Sequence, residues 1–175
     1  MGIPTLVLVT GPAGSGKTTL AHALARTIGC PTVSRDEIKE GMAAASPGFV
    51  PAPSDPITLR TYDVFFAAIE LLLRAEVTLV AEAAFQHALW SRGLEPLAGL
   101  AQVRVIRCRV PAEVALARAQ ARLATSTTRV AHADAEHLAA AAPFESPHLD
   151  TPTLDVDSTD GWQPALTAIA DFCGS

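Results

Sequence analysis

Residues Gly11 to Thr18, GPAGSGKT, constrain this chain more than any other stretch. Two glycines frame four residues, and a lysine and a threonine follow the second glycine. Ahead of them, Thr5 to Thr10 is short, apolar and β-branched, the composition of a strand buried on both faces. Behind them, Leu20, Leu24 and Ile28 recur at i, i+4 and i+8, one apolar stripe of a helix. Gly29 stands where a C-cap glycine belongs, with Pro31 just beyond. Strand, glycine-rich turn and helix in this order form a P-loop. Its backbone N–H groups, from Gly11, Ala13, Gly14, Ser15 and Gly16, are arranged to wrap an anion, and the helix N-terminus adds its positive dipole end. Lys17 reaches the β- and γ-phosphates, the hydroxyl of Thr18 is a ligand for Mg²⁺, and Thr19 completes the binding turn. Nucleotide binding is the firm consequence.

Composition narrows the rest. A chain of 175 residues with 49% hydrophobic and 18% charged residues has enough apolar material for one α/β domain. The formal net charge of −5 argues against a nucleic-acid partner, which would be held by a basic surface. Cys30, Cys108 and Cys173 are odd in number and lack metal-ligand spacing, which suits a reducing, cytoplasmic setting. No basic segment precedes the first strand and no apolar run nears the ~20 residues that span a bilayer, so neither a signal peptide nor a membrane partner is expected.

Further along, Pro31 to Ser34 reads as a short strand leading into Ser34-Arg35-Asp36-Glu37. Ser34 and Glu37 have capping-box spacing, with Asp36 an acid in the first helical turn. Alternatively, Asp36 is a carboxylate at the mouth of the sheet, placed to accept a proton from a hydroxyl. Ser46 to Pro56, with four prolines and a glycine, is an irregular loop, either a plain connector or a flap bearing Phe49 and Val50. Thr58 to Ala75 is an amphipathic helix in which Leu59, Tyr62, Phe66, Ile69 and Leu73 follow 3–4 spacing, so that most of them face the core. Val77 to Ala81 is the next strand, and Glu82 ends it at the edge where open parallel sheets gather ligands. Glu82 is thus a candidate to hold a Mg²⁺-bound water or an acceptor, against the reading of an ordinary solvated acid. Phe85, Gln86, His87 and Trp90 either line an acceptor pocket or pack.

Gln102 to Val110 reads as a strand interrupted by Arg104, Arg107 and Arg109, which must reach solvent or find carboxylates. Pro111 opens a helix whose Arg118 and Arg122 share a face. The small, polar run Ala124 to Thr128 and the outlying Arg129 follow, the pattern of a mobile lid that carries cations to a γ-phosphate or, more plainly, of a solvated arginine face. His132 and His137 read as surface residues. Thr153 to Val156 is the last strand, and Trp162 to Phe172 is a closing helix with Leu166, Ile169 and Phe172 on its core side.

The P-loop, the short strand before Asp36, the spaced arginines and the terminal TLDVDSTDG together resemble the small P-loop kinases. The nearest group contains chloramphenicol phosphotransferase, zeta-toxin-like kinases and polynucleotide-kinase domains. The resemblance implies an α/β, three-layer P-loop NTPase fold. Its five-stranded parallel sheet has order 2-3-1-4-5 and is flanked by helices, in one domain over 1–175 with a lid over roughly 122–132. It also implies ATP as donor, with GTP open, Mg²⁺ as cofactor, and a small-molecule acceptor that is antibiotic-, nucleoside- or sugar-like. On this resemblance Asp36 is the general base, Arg122 and Arg129 are lid arginines, and Arg118 stacks on the nucleotide base. The loop from Asp157 to Thr159 meets that base through backbone groups. The third strand departs from the family pattern by ending Ala-Glu-Ala-Ala in place of an acidic pair that contains Asp. A polynucleotide 5′-hydroxyl kinase and a nucleotide-dependent switch are the alternatives.

Overall fold

The computed structural model describes residues 2–52, 55–85, 93–97, 99–125, 131–132, 144–145 and 149–174. Side chains alternate across the first strand, β1 (Thr5–Thr10), and this alternation builds two cores. Leu6 and Leu8 enter one apolar cluster, and Val7 and Val9 enter another on the opposite face. β1 is the middle strand of five. The others are β2 (Thr32–Ser34), β3 (Leu79–Glu82), β4 (Gln102–Arg109) and β5 (Thr153–Asp157). All pair in parallel, in the order β2-β3-β1-β4-β5, as the resemblance implied.

Helices cover both faces and make three layers. On the Val7 and Val9 side lie α1 (Lys17–Ile28), through Leu20 and Leu24, and α5 (Leu166–Gly174), through Ile169 and Cys173. On the Leu6 and Leu8 side lies α3 (Pro56–Arg74), through Phe65, Ile69 and Leu73. Among the described residues the other α-helices are α2 (Arg35–Ala44) and α4 (Ala112–Thr125). Gly29 closes α1 in the left-handed conformation, its N–H donating to the Ala25 carbonyl. No helix among the described residues is long and apolar enough to cross a membrane.

Several expected elements move, each for a local reason. α3 begins at Pro56, because Asp55 caps it by accepting from the Thr58 N–H at 2.7 Å and Pro56 occupies the first helical position. Its buried stripe is Thr61, Phe65, Ile69 and Leu73, whereas Leu59 is 60% exposed and Tyr62 and Phe66 are half-buried. β3 starts only at Leu79: the Val77 N–H is held by the Leu72 carbonyl, and the Thr78 hydroxyl accepts from the Thr5 N–H. α5 starts at Leu166 because Gln163 exchanges backbone hydrogen bonds with Asp157, keeping the preceding residues out of the helix. Its buried residues are Ile169 and Cys173, while Leu166 and Phe172 pack at the margin.

Arg107 and Arg109 of β4 find a partner across the sheet, whereas Arg104 donates to the Val103 carbonyl at 3.2 Å. Arg107 and Asp155 are register neighbours and meet at 2.6 Å, and Arg109 reaches the other oxygen of Asp155 at 3.0 Å. Phe85 is a packing residue, buried against Phe65 with ring centroids 5.8 Å apart. Gln86, His87, Trp90, Arg129 and His137 lie outside the described residues, as does the stretch 126–130 of the expected lid. His132 is no surface residue: its side chain is 8% exposed and lies 3.4 Å from Glu40.

A buried ion pair ties α2 to the start of α3. Lys39 lies 3.3 Å from Asp55, and each side chain is 4% exposed. Burial alone would raise the Asp55 carboxyl, but hydrogen bonds from the Thr58 N–H and hydroxyl, together with Lys39, hold it at about 2. Because this pKa is depressed, its contribution to stability is present above the ordinary value near 4 and is lost as pH falls through about 2. Stability in this window should drop by about 2 kcal/mol through Asp55 alone. Asp55→Ala leaves Lys39 buried without its counter-ion and should cost about 3–5 kcal/mol. Urea unfolding at neutral pH checks the mutant, and melts at stepped acidic pH check the titration. A loss under ~1 kcal/mol would mean that Lys39 finds another partner.

Candidate active site

The carboxyl ends of β2, β3 and β1 bring together residues that lie far apart in the sequence, Lys17 and Glu82 among them. Val9 and Glu82 are register partners, as are Ser34 and Glu82. The P-loop leaves β1 at this edge. Gly16 caps α1 in the left-handed conformation, φ 76°, and no side chain caps the first N–H groups of that helix. Gly14 also has positive φ and lies against α4, where a Cβ would sit 2.0 Å from the Ala115 carbonyl oxygen. The hydroxyl oxygen of Ser15 is buried and has no hydrogen-bond partner among the described residues. An uncapped helix start beside an orphaned hydroxyl and a buried lysine fits a phosphate group.

Lys17 is 6% exposed, and its Nζ lies 3.8 Å from Glu82 Oε1. Glu82 is 1% exposed and accepts a 2.8 Å hydrogen bond from the Ser34 hydroxyl and another from the Thr18 side chain. It is therefore not a solvated strand-end acid. Burial raises the Glu82 carboxyl. Lys17, Ser34 and Thr18 oppose the rise, the negative charge of Asp36 reinforces it, and the net shift is upward. Asp36 stands in the first turn of α2, half-buried, with Oδ1 3.2 Å from Arg35 Nη1. Lys17, Thr18, Ser34, Asp36 and Glu82 thus form one cluster.

The expected capping box at α2 does not form. Ser34 is the N-cap residue, but its hydroxyl goes to Glu82 and makes no cap hydrogen bond. Glu37 turns instead to His22 of α1, at 2.6 Å. The hydroxyl is turned to donate to the buried Glu82 carboxylate, and in that orientation its oxygen accepts from no N–H of the first turn of α2.

A second group of contacts fastens the loop after β5 to the P-loop. The Ser158 hydroxyl donates to the Ser15 carbonyl at 2.6 Å, and the Ser158 N–H donates to the Arg109 carbonyl at 3.0 Å. Arg118 donates from Nη1 to the Ser158 carbonyl at 3.0 Å and from Nη2 to the Thr159 carbonyl at 2.6 Å. The Thr159 N–H in turn donates to Asp157 at 2.8 Å. Arg118 and Thr159 are therefore joined to each other. Ser158 lies within the loop from Asp157 to Thr159 that the resemblance singled out, but its hydroxyl contact with the P-loop was not anticipated. Its partner lies 143 residues away, and its place in an Asp-Ser-Thr-Asp-Gly turn hinted at a role. Arg122 is half-buried on α4, and its Nε has no partner among the described residues. Ala13 and Thr19 are exposed at the loop. Burial pushes the Cys108 thiol, behind the P-loop, up to about 12, which removes it as a nucleophile.

Mg²⁺ takes oxygen ligands and retains water, so it needs few protein donors beside phosphate oxygens. The Thr18 hydroxyl and the Glu82 carboxylate are two oxygens at one spot and fit that demand. No cluster of three or more His, Cys, Asp or Glu side chains suited to a metal occurs among the described residues. A cavity of about 460 Å³ opens at the other end of the sheet, lined by Thr5, Thr27, Thr78, Asp171 and Cys173. Thr27 and Thr78 are already hydrogen-bonded within the fold, and the cavity is remote from Lys17.

A family model described as an AAA domain matches residues 6–147. The chain belongs to that family. No curated protein matches it by sequence. Among solved structures, it is similar to a candidate kinase from Chloroflexus aurantiacus, 26% identical, with a TM-score of 0.85 over 98% of this chain and 97% of that one. It is also similar in fold to an APS kinase from Mycobacterium tuberculosis in complex with AMPPNP and APS, 17% identical, with a TM-score of 0.64 over 98% of each chain. A gluconokinase from Sinorhizobium meliloti is 20% identical, with a TM-score of 0.57 over 99% of this chain and 91% of that one. The AAA-domain chain therefore has the small P-loop kinase fold that its motifs resembled.

Proposed function

We propose that this protein transfers the γ-phosphoryl group of ATP to a hydroxyl of a small molecule. One observation carries the reading: a half-buried carboxylate, Asp36, shares the carboxyl edge of the sheet with Lys17, Thr18 and Glu82. Structural likeness to an APS kinase and a gluconokinase supports a small acceptor. In this reading the P-loop and the N-terminus of α1 hold the phosphates, and the loop of Ser158 and Thr159, braced by Arg118, receives the base. The acceptor oxygen attacks the γ-phosphorus, the bond to the leaving ADP oxygen breaks, and the hydroxyl proton passes to the Asp36 carboxylate. Lys17 offsets charge on the β/γ oxygens, and Arg122 and Arg129 of a lid at 122–132 approach the transferred group. Thr18 and Glu82 would hold Mg²⁺, whose chemistry is neutralisation of phosphate charge.

The test is a deproteinised bacterial extract incubated with the protein and ATP, then read by mass spectrometry. A metabolite that gains one phosphoryl group, in step with ADP formed, is the expected result. ADP released with no phosphorylated product would replace this reading with that of a slow nucleotide-dependent switch. GTP in place of ATP settles the donor.

A further inference from the structure

Arg35 stands next to the proposed base and has bonding capacity to spare. Its Nη1 donates to Asp36 Oδ1 at 3.2 Å, and its guanidinium carbon lies 4.5 Å from the centre of the Tyr62 ring on α3. Its Nε is shielded from solvent and has no hydrogen-bond partner among the described residues. Among the described residues, Lys17 pairs with Glu82, Lys39 with Asp55 and His22 with Glu37. A guanidinium presents five N–H donors in a planar fork, and a buried donor left unmade costs free energy. With Nη1 taken by Asp36, what remains is the Nε–Nη2 edge, the edge that matches an oxyanion in bidentate fashion.

We propose that Arg35 reads the acceptor, and that the acceptor carries an oxyanion, a carboxylate or a phosphate, close to the hydroxyl that is phosphorylated. The inference rests on the phosphotransferase reading and deepens it. A hydroxyl within reach of Asp36 brings its neighbouring substituents to the guanidinium, since one Arg35 nitrogen already touches that carboxylate. The Tyr62 ring is the plate on which the guanidinium slides as the Nε–Nη2 edge turns to the open side. A residual exposure of 16% leaves the side chain that path. Arg35 thereby lets one anion be bound beside another, because it already balances Asp36 and still has donors for the acceptor.

The experiment separates a deproteinised bacterial extract by anion exchange into a retained, anionic pool and a neutral or cationic flow-through. Each pool is offered to the full chain with γ-labelled ATP. Labelled product is expected from the anionic pool alone. Purified acceptors with a carboxylate and with a phosphate then distinguish the two sources of oxyanion. Arg35→Met should raise KM for such an acceptor about 10–100-fold with a smaller change in kcat, and Arg35→Lys, which keeps charge but not the fork, should fall between. ATP-induced thermal stabilisation reports that each variant is folded. Label from the neutral pool overturns the assignment of Arg35 and leaves phosphoryl transfer standing. A uniform fall in kcat without a KM change also overturns it, because Arg35 would then serve only to position Asp36. No label from either pool overturns the phosphotransferase reading, and this one with it.

Discussion

Lys17→Ala is expected to lower kcat for phosphoryl transfer by about 10³-fold or more while the fold persists. The lysine is buried, so its loss needs a structural account as well as a chemical one. What it leaves behind is Glu82, which keeps the Ser34 hydroxyl and the Thr18 side chain. With Lys17 gone, burial and the Asp36 charge act on Glu82 with less opposition, so its carboxyl moves further up and holds its proton to higher pH. Glu82 keeps its two hydrogen bonds and can take up a proton in place of the lost cation, so the apo protein should melt close to the parent. Nucleotide should expose the difference. ATP at a hundred times its Kd stabilises a native state by about 2.7 kcal/mol, and that increment should shrink in the variant. Lys17→Met, which keeps the bulk of the stem, separates packing from charge. Melts with and without ATP, beside kcat for an identified acceptor, decide the matter. Unimpaired turnover in both variants would end the kinase reading.

The P-loop was legible because its chemistry lies in contiguous backbone and because strand and helix signals flank it. The neighbours of β1 came from resemblance, and the pairing order of the structure agrees with it. Side-chain partners were much less legible. Ser34 and Glu37 have local capping spacing, but Ser34 has a tertiary partner 48 residues away, and spacing carries no information about that competitor. The stripe of α3 misled for a related reason. Thr61 occupies a core position because its hydroxyl donates to the Ile57 carbonyl and contacts Met42 sulfur, so a polar residue hid the true face. Leu59, apolar and exposed, filled the gap in the pattern. Arg107 and Arg109 of β4 posed a visible problem whose solution, Asp155, depends on strand register. Glu82 was legible as a position, and its burial against Lys17 was not. Both the hydrogen bond of Ser34 and that burial follow from β2 and β3 ending side by side.

Asp36→Asn should lower kcat roughly 10²–10⁴-fold with ATP affinity almost unchanged. A structural and a chemical role for this carboxylate predict different numbers. As an acid in the first turn of α2 it stabilises the helix through the dipole, and losing that charge costs at most ~1 kcal/mol. Asn retains an oxygen that can accept from Arg35, so the local geometry is largely kept. It cannot take a proton from a hydroxyl. Removing the negative charge also relieves Glu82, whose carboxyl Asp36 pushes upward, so Glu82 should ionise at lower pH in the variant. That side effect favours an ionised Glu82, and the loss of turnover cannot be charged to it. Glu37→Gln is the control. Glu37 is exposed and pairs with His22 on the surface, and surface pairs of this kind contribute only about 0–1 kcal/mol. The measurement is kcat and KM for both variants with an identified acceptor, beside their melting temperatures. A variant pair in which Glu37→Gln is inactive and Asp36→Asn turns over normally would move the proton acceptor to the other carboxylate. If both remain active, the hydroxyl proton leaves without help from α2, and transfer rests on compensation of the phosphate charge.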